Sequence, residues 1–347
     1  MYAPALDDRL ARPADHARCR AMLADGSKSF HAAARLLPDR VRGPATVFYA
    51  FCRLADDAVD HASDSAEALG HLRERLTRVY AGNPLDQPVD RAFADLVAHY
   101  PLPKAVVDLL FEGFEWDASG RFYDSIEEVR AYGVRVAGTV GVIMALLMGV
   151  RDPAVLARAC DLGIAMQLTN IARDVGEDAN AARLYLPRAW LIEEGLDPEV
   201  FLARPEMSAA LGRVIARLLA EADRLYRRGE VGIAALPGPC RPAIAAARLI
   251  YADIGRVIAA NGHDSVSVRA VVPSRRKLML MARALSFQRS DGAMLTAQPL
   301  AEARPLLAAA AVDRAPPAAR FDTRVAWVVA LLQRQARRAG MMPPARR

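Results

Sequence analysis

From about Pro13 to about Leu285 the apolar residues recur with the period of an α-helix, and nowhere does the chain show the alternating β-branched pattern of a strand. Short breaks rich in Gly, Pro and Asp fall at Leu37-Pro38-Asp39, Gly82-Asn83-Pro84, Tyr100-Pro101-Leu102-Pro103, Arg151-Asp152-Pro153 and Leu236-Pro237-Gly238-Pro239. Helix after helix joined by tight turns can only be an all-α body, and its expected extent is residues 1–287. Apolar residues make up 53% of the chain, enough for a substantial core. After Phe287 the texture changes. Ala297 to Arg320 is rich in Ala, Pro and Arg and reads as a loose linker, and Arg324 to Arg338 reads as one basic amphipathic helix, so residues 288–347 form an expected tail.

Charge placement narrows the function. The net charge is +6, and residues 301–347 hold nine arginines against Glu302, Asp313 and Asp322, so residues 1–300 sum to zero. A nucleic-acid enzyme spreads basic residues over its working face, and no nucleic-acid partner is expected here. Neither G-x-G-x-x-G nor G-x-x-x-x-G-K-[ST] occurs, which excludes the common nucleotide cradles. Cys19, Cys52, Cys160 and Cys240 lie far apart, so neither a disulfide framework nor a zinc site is expected. The longest apolar run, Ala137 to Val150, is short for a bilayer span and holds three glycines, as a close-packed core helix would. With Asp7, Asp8 and Arg9 near its start and no apolar signal core, the chain is expected in the cytoplasm.

Two stretches carry the chemistry. On a helix turning about 100° per residue, Tyr49, Arg53, Asp56 and Asp60 share one narrow polar line, while Asp57 lies off it. A second line joins Gln167, Asn170, Asp174 and Asp178. Each spans a similar length of helix and ends in Asp-x-x-x-Asp. A solvated face would favour Glu and Lys over Asp, a short and poor helix former. The flanking faces are too apolar to be wet, so the stripes are expected to line a cavity. Carboxylates four residues apart point the same way, about 6 Å apart along the axis, and would repel each other there. A hard divalent cation removes the conflict, and Mg²⁺ takes one or two carboxylates together with phosphate oxygens and water. Facing Asp pairs with nearby arginines suit a metal-bridged diphosphate, whose departure from an allylic carbon they would assist.

The same residues resemble the squalene/phytoene synthase family, over most of residues 20–287. Four blocks carry the resemblance: Ser27-Lys28-Ser29-Phe30 with Leu36-Leu37-Pro38; Tyr49 to Asp60; Tyr132 with Val136-Ala137-Gly138-Thr139-Val140-Gly141; and Gln167 to Asp178 with Arg183-Leu184-Tyr185-Leu186-Pro187. Ala182 departs from the family pattern, which usually has Gly there. The resemblance implies the isoprenoid synthase helical bundle around a central cavity. It implies that Asp56, Asp60, Asn170, Asp174 and Asp178 hold Mg²⁺, with Mn²⁺ able to substitute, and that Ser27, Arg53 and Arg173 grip diphosphate. Phe30, Tyr49, Tyr132, Gln167 and Tyr251 would line the reacting prenyl ends, where aromatic faces stabilise cations without trapping them. The Gly138 to Gly141 block would let helices pack closely or break one locally. Arg275, Arg276 and Lys277 follow a proline and have either a diphosphate or only solvent to face. His31, His61, His71, His99 and His263 show no metal-ligand spacing and receive no role.

The implied reaction joins two prenyl diphosphates head to head through a cyclopropylcarbinyl diphosphate. The expected substrate is C20 geranylgeranyl diphosphate and the expected product phytoene. Ala34 and Thr46 are small where a bulky ring would shorten the prenyl channel, and no NADPH is expected, for want of a nucleotide motif. Farnesyl diphosphate, giving squalene, dehydrosqualene or presqualene diphosphate, is the alternative. A chain-elongating synthase would need a second D-D-x-x-D, which is absent, and a non-catalytic assembly protein would have no physical reason to keep four cavity carboxylates. A hydrocarbon product cannot leave through water, so peripheral membrane contact through the tail is expected. The oligomeric state is left open.

Overall fold

In the computed structural model every element among the described residues is helical. The structure describes residues 10–26, 33–60, 65–287 and 291–311, without the side chains of residues 56, 59, 60, 65 and 66. The first half runs α1 (Pro13–Gly26), α2 (Asp39–Asp60), α3 (Ser65–Tyr80), α4 (Pro88–His99), α5 (Lys104–Ala118) and α6 (Ile126–Gly133). A π-helical turn, Val134–Gly138, leads without a break into α7 (Thr139–Leu147). Then come the long α8 (Pro153–Asn180), the short α9 (Arg188–Glu193) and α10 (Pro198–Ala203), and two long helices, α11 (Ala209–Ile233) and α12 (Arg241–Ala260). The chain closes with α13 (Ser274–Ala284), α14 (Gly292–Thr296) and α15 (Arg304–Ala311).

Every expected break falls between helices, and each has a local cause. Asp152 caps α8 by accepting from the amide of Ala154, with Pro153 at the first helical position, where its missing N–H costs nothing. Pro237 and Pro239 sit in the turn and 3₁₀ element that separate α11 from α12. Near the start of the bundle, Phe51 stacks on Phe93 with ring centroids 4.1 Å apart, fixing α2 against α4. That contact orients the helix bearing the first acidic stripe.

α8 runs through the middle of the bundle, and glycines let its neighbours approach it. A methyl group built on Gly163 would lie 2.2 Å from the carbonyl oxygen of Ala137, and one on Gly141 would lie 2.3 Å from that of Ala159. No side chain fits at either contact, so the π turn and α7 lie backbone to backbone with α8. This is both close packing and a local helix irregularity, as expected of the Gly138 to Gly141 block. Through the π turn, Ile126–Leu147 is one continuous helix of 22 residues, longer than the apolar run suggested. It is long and apolar enough to cross a membrane, yet 61% of its most apolar window is buried inside the protein. It is a core helix of the bundle.

The body also runs past the boundary expected at residue 287 and reaches Ala311. Arg158 of α8, wholly buried, pairs with Asp161 at 2.9 Å and donates to the carbonyl of Met294 at 2.6 Å. Arg130 bonds Glu302 and Glu221, both at 3.0 Å, and Leu306 is fully buried with a methyl 3.6 Å from where a Gly138 side chain would begin. The alanines that make 297–311 read as a linker are what let it lie close on the body. Residues 312–347, including the expected helix Arg324 to Arg338, lie outside the described residues.

Candidate active site

The second acidic stripe forms as its spacing requires. Gln167, Asn170, Asp174 and Asp178 all lie on α8. Gln167 and Asn170, with Tyr251 of α12, stand at one end of a cavity of about 280 Å³. Its walls are otherwise apolar, drawn from the π turn, α7, α8, α11 and α12 and from the turn that follows α11. Along α8 it extends from Asn170 back to Val155, which is about 22 Å at 1.5 Å per residue. The shape is a long oily tunnel with a polar end.

Beyond Asn170 the charges gather. Arg173 donates to both carboxylate oxygens of Asp174, at 2.7 and 2.5 Å. Arg269, from the segment between α12 and α13, donates to the same carboxylate at 2.9 Å and lies 3.3 Å from Glu177. Burial alone would raise the pKa of Asp174, but hydrogen bonds and charge from the two arginines outweigh it and hold the group below its usual value. Asp178 has no such help. Burial and the neighbouring Asp174 charge push it up to about 7, against the weaker pull of Arg183. The two carboxylates of one stripe are thus pushed in opposite directions, which is the conflict that the spacing predicted.

The side-chain oxygen of Asn170 is buried and has no hydrogen-bond partner among the described residues. Such an orphan is costly unless something outside the protein satisfies it. With Asp174 and Asp178 it makes an all-oxygen donor set at one helical spacing, the kind of chemistry that suits Mg²⁺. Among the described residues no cluster of three or more His, Cys, Asp or Glu gathers around one point. The other half of the expected site, Asp56 and Asp60, lies on the last turn of α2, and the side chains of both are outside the described residues.

The remaining expected residues are distributed as follows. Tyr132 is buried and donates to Asp117 at 3.0 Å, and Tyr251 half-lines the tunnel, its pKa raised by burial. Tyr49 is partly buried against the core. Arg53 is half exposed and pairs with Asp57 at 2.6 Å, so the aspartate off the line has a job of its own. Ser27 and Phe30 lie outside the described residues. Ala34 and Thr46 do share a cavity, as expected, but not the tunnel. They line a separate space of about 400 Å³ between the first two helices, with Leu23 and Val47 as its apolar floor and Arg20, Arg35 and Arg42 among its polar walls. Thr46 lines it with its hydroxyl already satisfied, donating to the carbonyl of Arg42 at 2.8 Å.

Sequence reasoning passed over Asp117, Tyr123, Tyr185 and Arg269. Asp117 accepts from Tyr185 at 2.8 Å as well as from Tyr132, and the two rings stack 5.1 Å apart at 22°. Tyr123 joins them, 5.3 Å from Tyr132. This aromatic cluster is packed around one carboxylate and does not line the tunnel, although Asp117 is near enough to Asp178 to add to the rise of its pKa. Nothing in spacing marks Asp117 or Arg269, since each reaches its partner across the fold. Tyr185 had a signal, because it sits in the Arg183 to Pro187 block.

The comparisons agree with this geometry. Residues 23–277 match the squalene/phytoene synthase family. A phytoene synthase of Cereibacter sphaeroides is 55% identical over 276 residues, covering 77% of this chain and 78% of its own. A 15-cis-phytoene synthase of Pantoea ananas is 39% identical over 274 residues, covering 76% and 88%. Among solved structures, a dehydrosqualene synthase in complex with ligand superposes with a TM-score of 0.73 at 29% identity, covering 79% of this chain and 96% of that one.

Proposed function

Because the chain belongs to the squalene/phytoene synthase family, we propose that it joins two geranylgeranyl diphosphates head to head, giving 15-cis-phytoene and two diphosphates, the entry reaction of carotenoid biosynthesis. The observation that carries this reading is the tunnel, apolar for about four helical turns and leading to carboxylates, arginines and an orphan amide oxygen. A prenyl diphosphate has the same polarity along its length.

The reaction needs three services from the site. The C1–O bond of one substrate breaks, and the carbon is attacked by the C2=C3 double bond of the other. Loss of a proton closes a cyclopropylcarbinyl diphosphate. That species ionises in turn, rearranges and loses a second proton, so no hydride donor and no NADPH is called for. Asp56, Asp60, Asn170, Asp174 and Asp178 would hold Mg²⁺, or Mn²⁺ in its place, which supplies charge neutralisation to the departing diphosphate. Arg53, Arg173 and Arg269 hold diphosphate oxygens; Arg173 and Arg269 do so by exchanging a carboxylate for phosphate. Tyr251, at the polar end of the tunnel, faces developing positive charge with its ring, and the packed cluster of Tyr132, Tyr123 and Tyr185 backs the acidic end of α8 through Asp117. Excluding water from the tunnel keeps the cations from being quenched.

A reaction between two chains needs two channels. The tunnel takes one prenyl chain, and the cavity lined by Ala34 and Thr46 takes the end of the other. The hydrocarbon leaves into lipid, so the enzyme works from the cytoplasm at the membrane surface. The test is to supply C15 and C20 diphosphates separately, with and without Mg²⁺ and NADPH, and to identify the hydrocarbon by mass. A C40 product formed without NADPH is expected. A C30 product from the C15 substrate, formed faster than any C40, would overturn the substrate and leave the fold and family untouched.

A further inference from the structure

Nine large apolar side chains are exposed among the described residues, and five of them fall within one stretch, Val268, Val271, Leu278, Met279 and Leu285, with 51–69% of their surface in contact with solvent. The others, at 10, 122, 192 and 200, are scattered along the chain. The concentration has a structural basis. In the segment before α13, Ala270 and Val272 are buried and pin the backbone down, so Val268 and Val271 point outward. On α13, Leu280 and Ala284 pack inward, and Arg276 is anchored to Asp253 at 2.9 Å. At about 100° per residue, Leu278, Met279, Ala282 and Leu285 then share an outward arc of about 120°. The exposed apolar face of α13 is therefore the one turned away from the body.

Cations frame it. Arg275 and Arg283 are exposed on the same side of α13, and no Asp or Glu occurs from residue 265 to residue 290. The patch also adjoins the active site. Arg269, between Val268 and Val271 in sequence, is the residue that reaches Asp174, and the carbonyl of Ser265 accepts from the amide of Gly176 at 3.0 Å. Apolar side chains flanked by the exposed Arg275 and Arg283, next to the polar end of a prenyl tunnel, match the surface of a bilayer containing anionic lipid. A second copy of this chain is a poorer match. A two-fold contact would lay the patch on itself and set its cations against each other, with no acid in the segment to pair them.

We propose that Val268, Val271 and the outward face of α13 dock the protein on an anionic lipid surface, bringing the active-site end of α8 to the membrane. The docking site is thus part of the body and distinct from the basic tail. It deepens the proposed reaction, since its use is to receive lipid-borne substrate and to discharge hydrocarbon, but its test does not depend on turnover.

The experiment is flotation of the full chain with phosphatidylglycerol/phosphatidylcholine vesicles and with phosphatidylcholine alone, for the unmodified protein, for Leu278→Glu with Leu285→Glu, and for Arg275→Gln with Arg283→Gln. Binding to the anionic vesicles is expected to fall by at least about tenfold in the glutamate variant, on the scale of lost interfacial apolar burial. The glutamine variant should lose its preference for anionic over neutral vesicles, and circular dichroism should be unchanged in both. Turnover of detergent-dispersed geranylgeranyl diphosphate should match the unmodified enzyme, while turnover of vesicle-borne substrate drops. Equal flotation of the unmodified and glutamate proteins overturns the proposal. So does an unmodified dimer that the glutamate pair splits without changing flotation, which would make the face a contact between copies. An unmodified enzyme that floats but does not turn over the dispersed substrate would sink the reaction and spare the docking face.

Discussion

The two ends of the tunnel are built by opposite means. At the acidic end, α8 presents charges that fit one another badly. Asp174 is held ionised by two arginines, Asp178 is pushed towards neutrality, and Asn170 keeps an oxygen without a partner. At the far end, the same helix and its neighbours contribute Met148, Val155, Leu236 and Ile244, and glycines bring the backbones into contact. One end is unfinished without a ligand, and the other is complete. The difference teaches where each kind of substitution should act: on turnover at the first, on stability and chain length at the second.

The sharpest way to break that contrast is Asp174→Asn. It should lower turnover by at least about 10²-fold, the scale of one pre-organised electrostatic contact, while leaving the fold intact. Near-normal turnover would mean that the acidic end is only a salt-bridge cluster. Asp178→Asn should cost turnover on the same scale but act differently on stability. Because the folded pKa of Asp178 is pushed up to about 7 from the ordinary aspartate value of 3.8, the folded state holds the extra proton between those values. Metal-free protein therefore loses stability as pH rises from about 4 to about 7, and the contribution is flat above that. Removing the ionisable group should raise the melting temperature of metal-free protein at pH 8 and flatten this pH dependence. Asp174, with its lowered pKa, contributes the opposite slope only at lower pH. An unmodified protein whose metal-free melting temperature does not fall between pH 5 and pH 8, or an unchanged profile in the variant, would contradict the assignment.

The contrast also explains what could be read in advance. Helix type, the breaks and both polar stripes are local properties, set by residues three or four apart, and the spacing of Gln167, Asn170, Asp174 and Asp178 was enough to place them on one face. Ala182 was visible as a departure, and the structure gives it a meaning: its φ is +56°, the left-handed region that glycine occupies without strain. What could not be read depends on which elements meet. Arg269 reaches Asp174 across 95 positions, and Tyr132 shares Asp117 with Tyr185. Composition misled at the C-terminal boundary, because alanines suit a close-packed helix as well as a linker, and only partners such as Arg130 and Arg158 decide between them. Ala34 was expected along the prenyl channel for its small size, but its cavity is set by the packing of the first two helices.

Within the glycine-packed wall, Gly163→Ala tests whether the close approach is obligatory. The added carbon would lie 2.2 Å from the Ala137 carbonyl oxygen, a backbone atom that cannot swing away. Destabilisation of about 1–3 kcal/mol is expected, the usual cost of overpacking, measured by denaturant unfolding. A neutral change would show that the π turn is free to move. Val155→Phe then probes the far end itself. Val155 is the tunnel-lining residue of α8 furthest from Asn170, so a ring there should shift the ratio of C20 to C15 turnover towards C15 by about tenfold, on the scale of a misfitting apolar group in a pocket. An unchanged ratio would mean that substrate does not reach the end of the tunnel.

The smallest effect is expected in the other cavity. Ala34 is buried beside Thr46 and Val47, but that space is larger than the tunnel and arginine-walled, so an inserted ring has room to turn towards its polar side. Ala34→Phe should therefore move the same C20 to C15 ratio in the same direction, by less than Val155→Phe. The two changes narrow different channels, one for each prenyl chain, and they should then be close to additive in free energy when combined. A double variant no worse than Val155→Phe alone would show that only the tunnel measures chain length, with the Ala34 cavity a feature of packing. An Ala34→Phe effect larger than that of Val155→Phe would reverse the order and make the first two helices the stricter gauge.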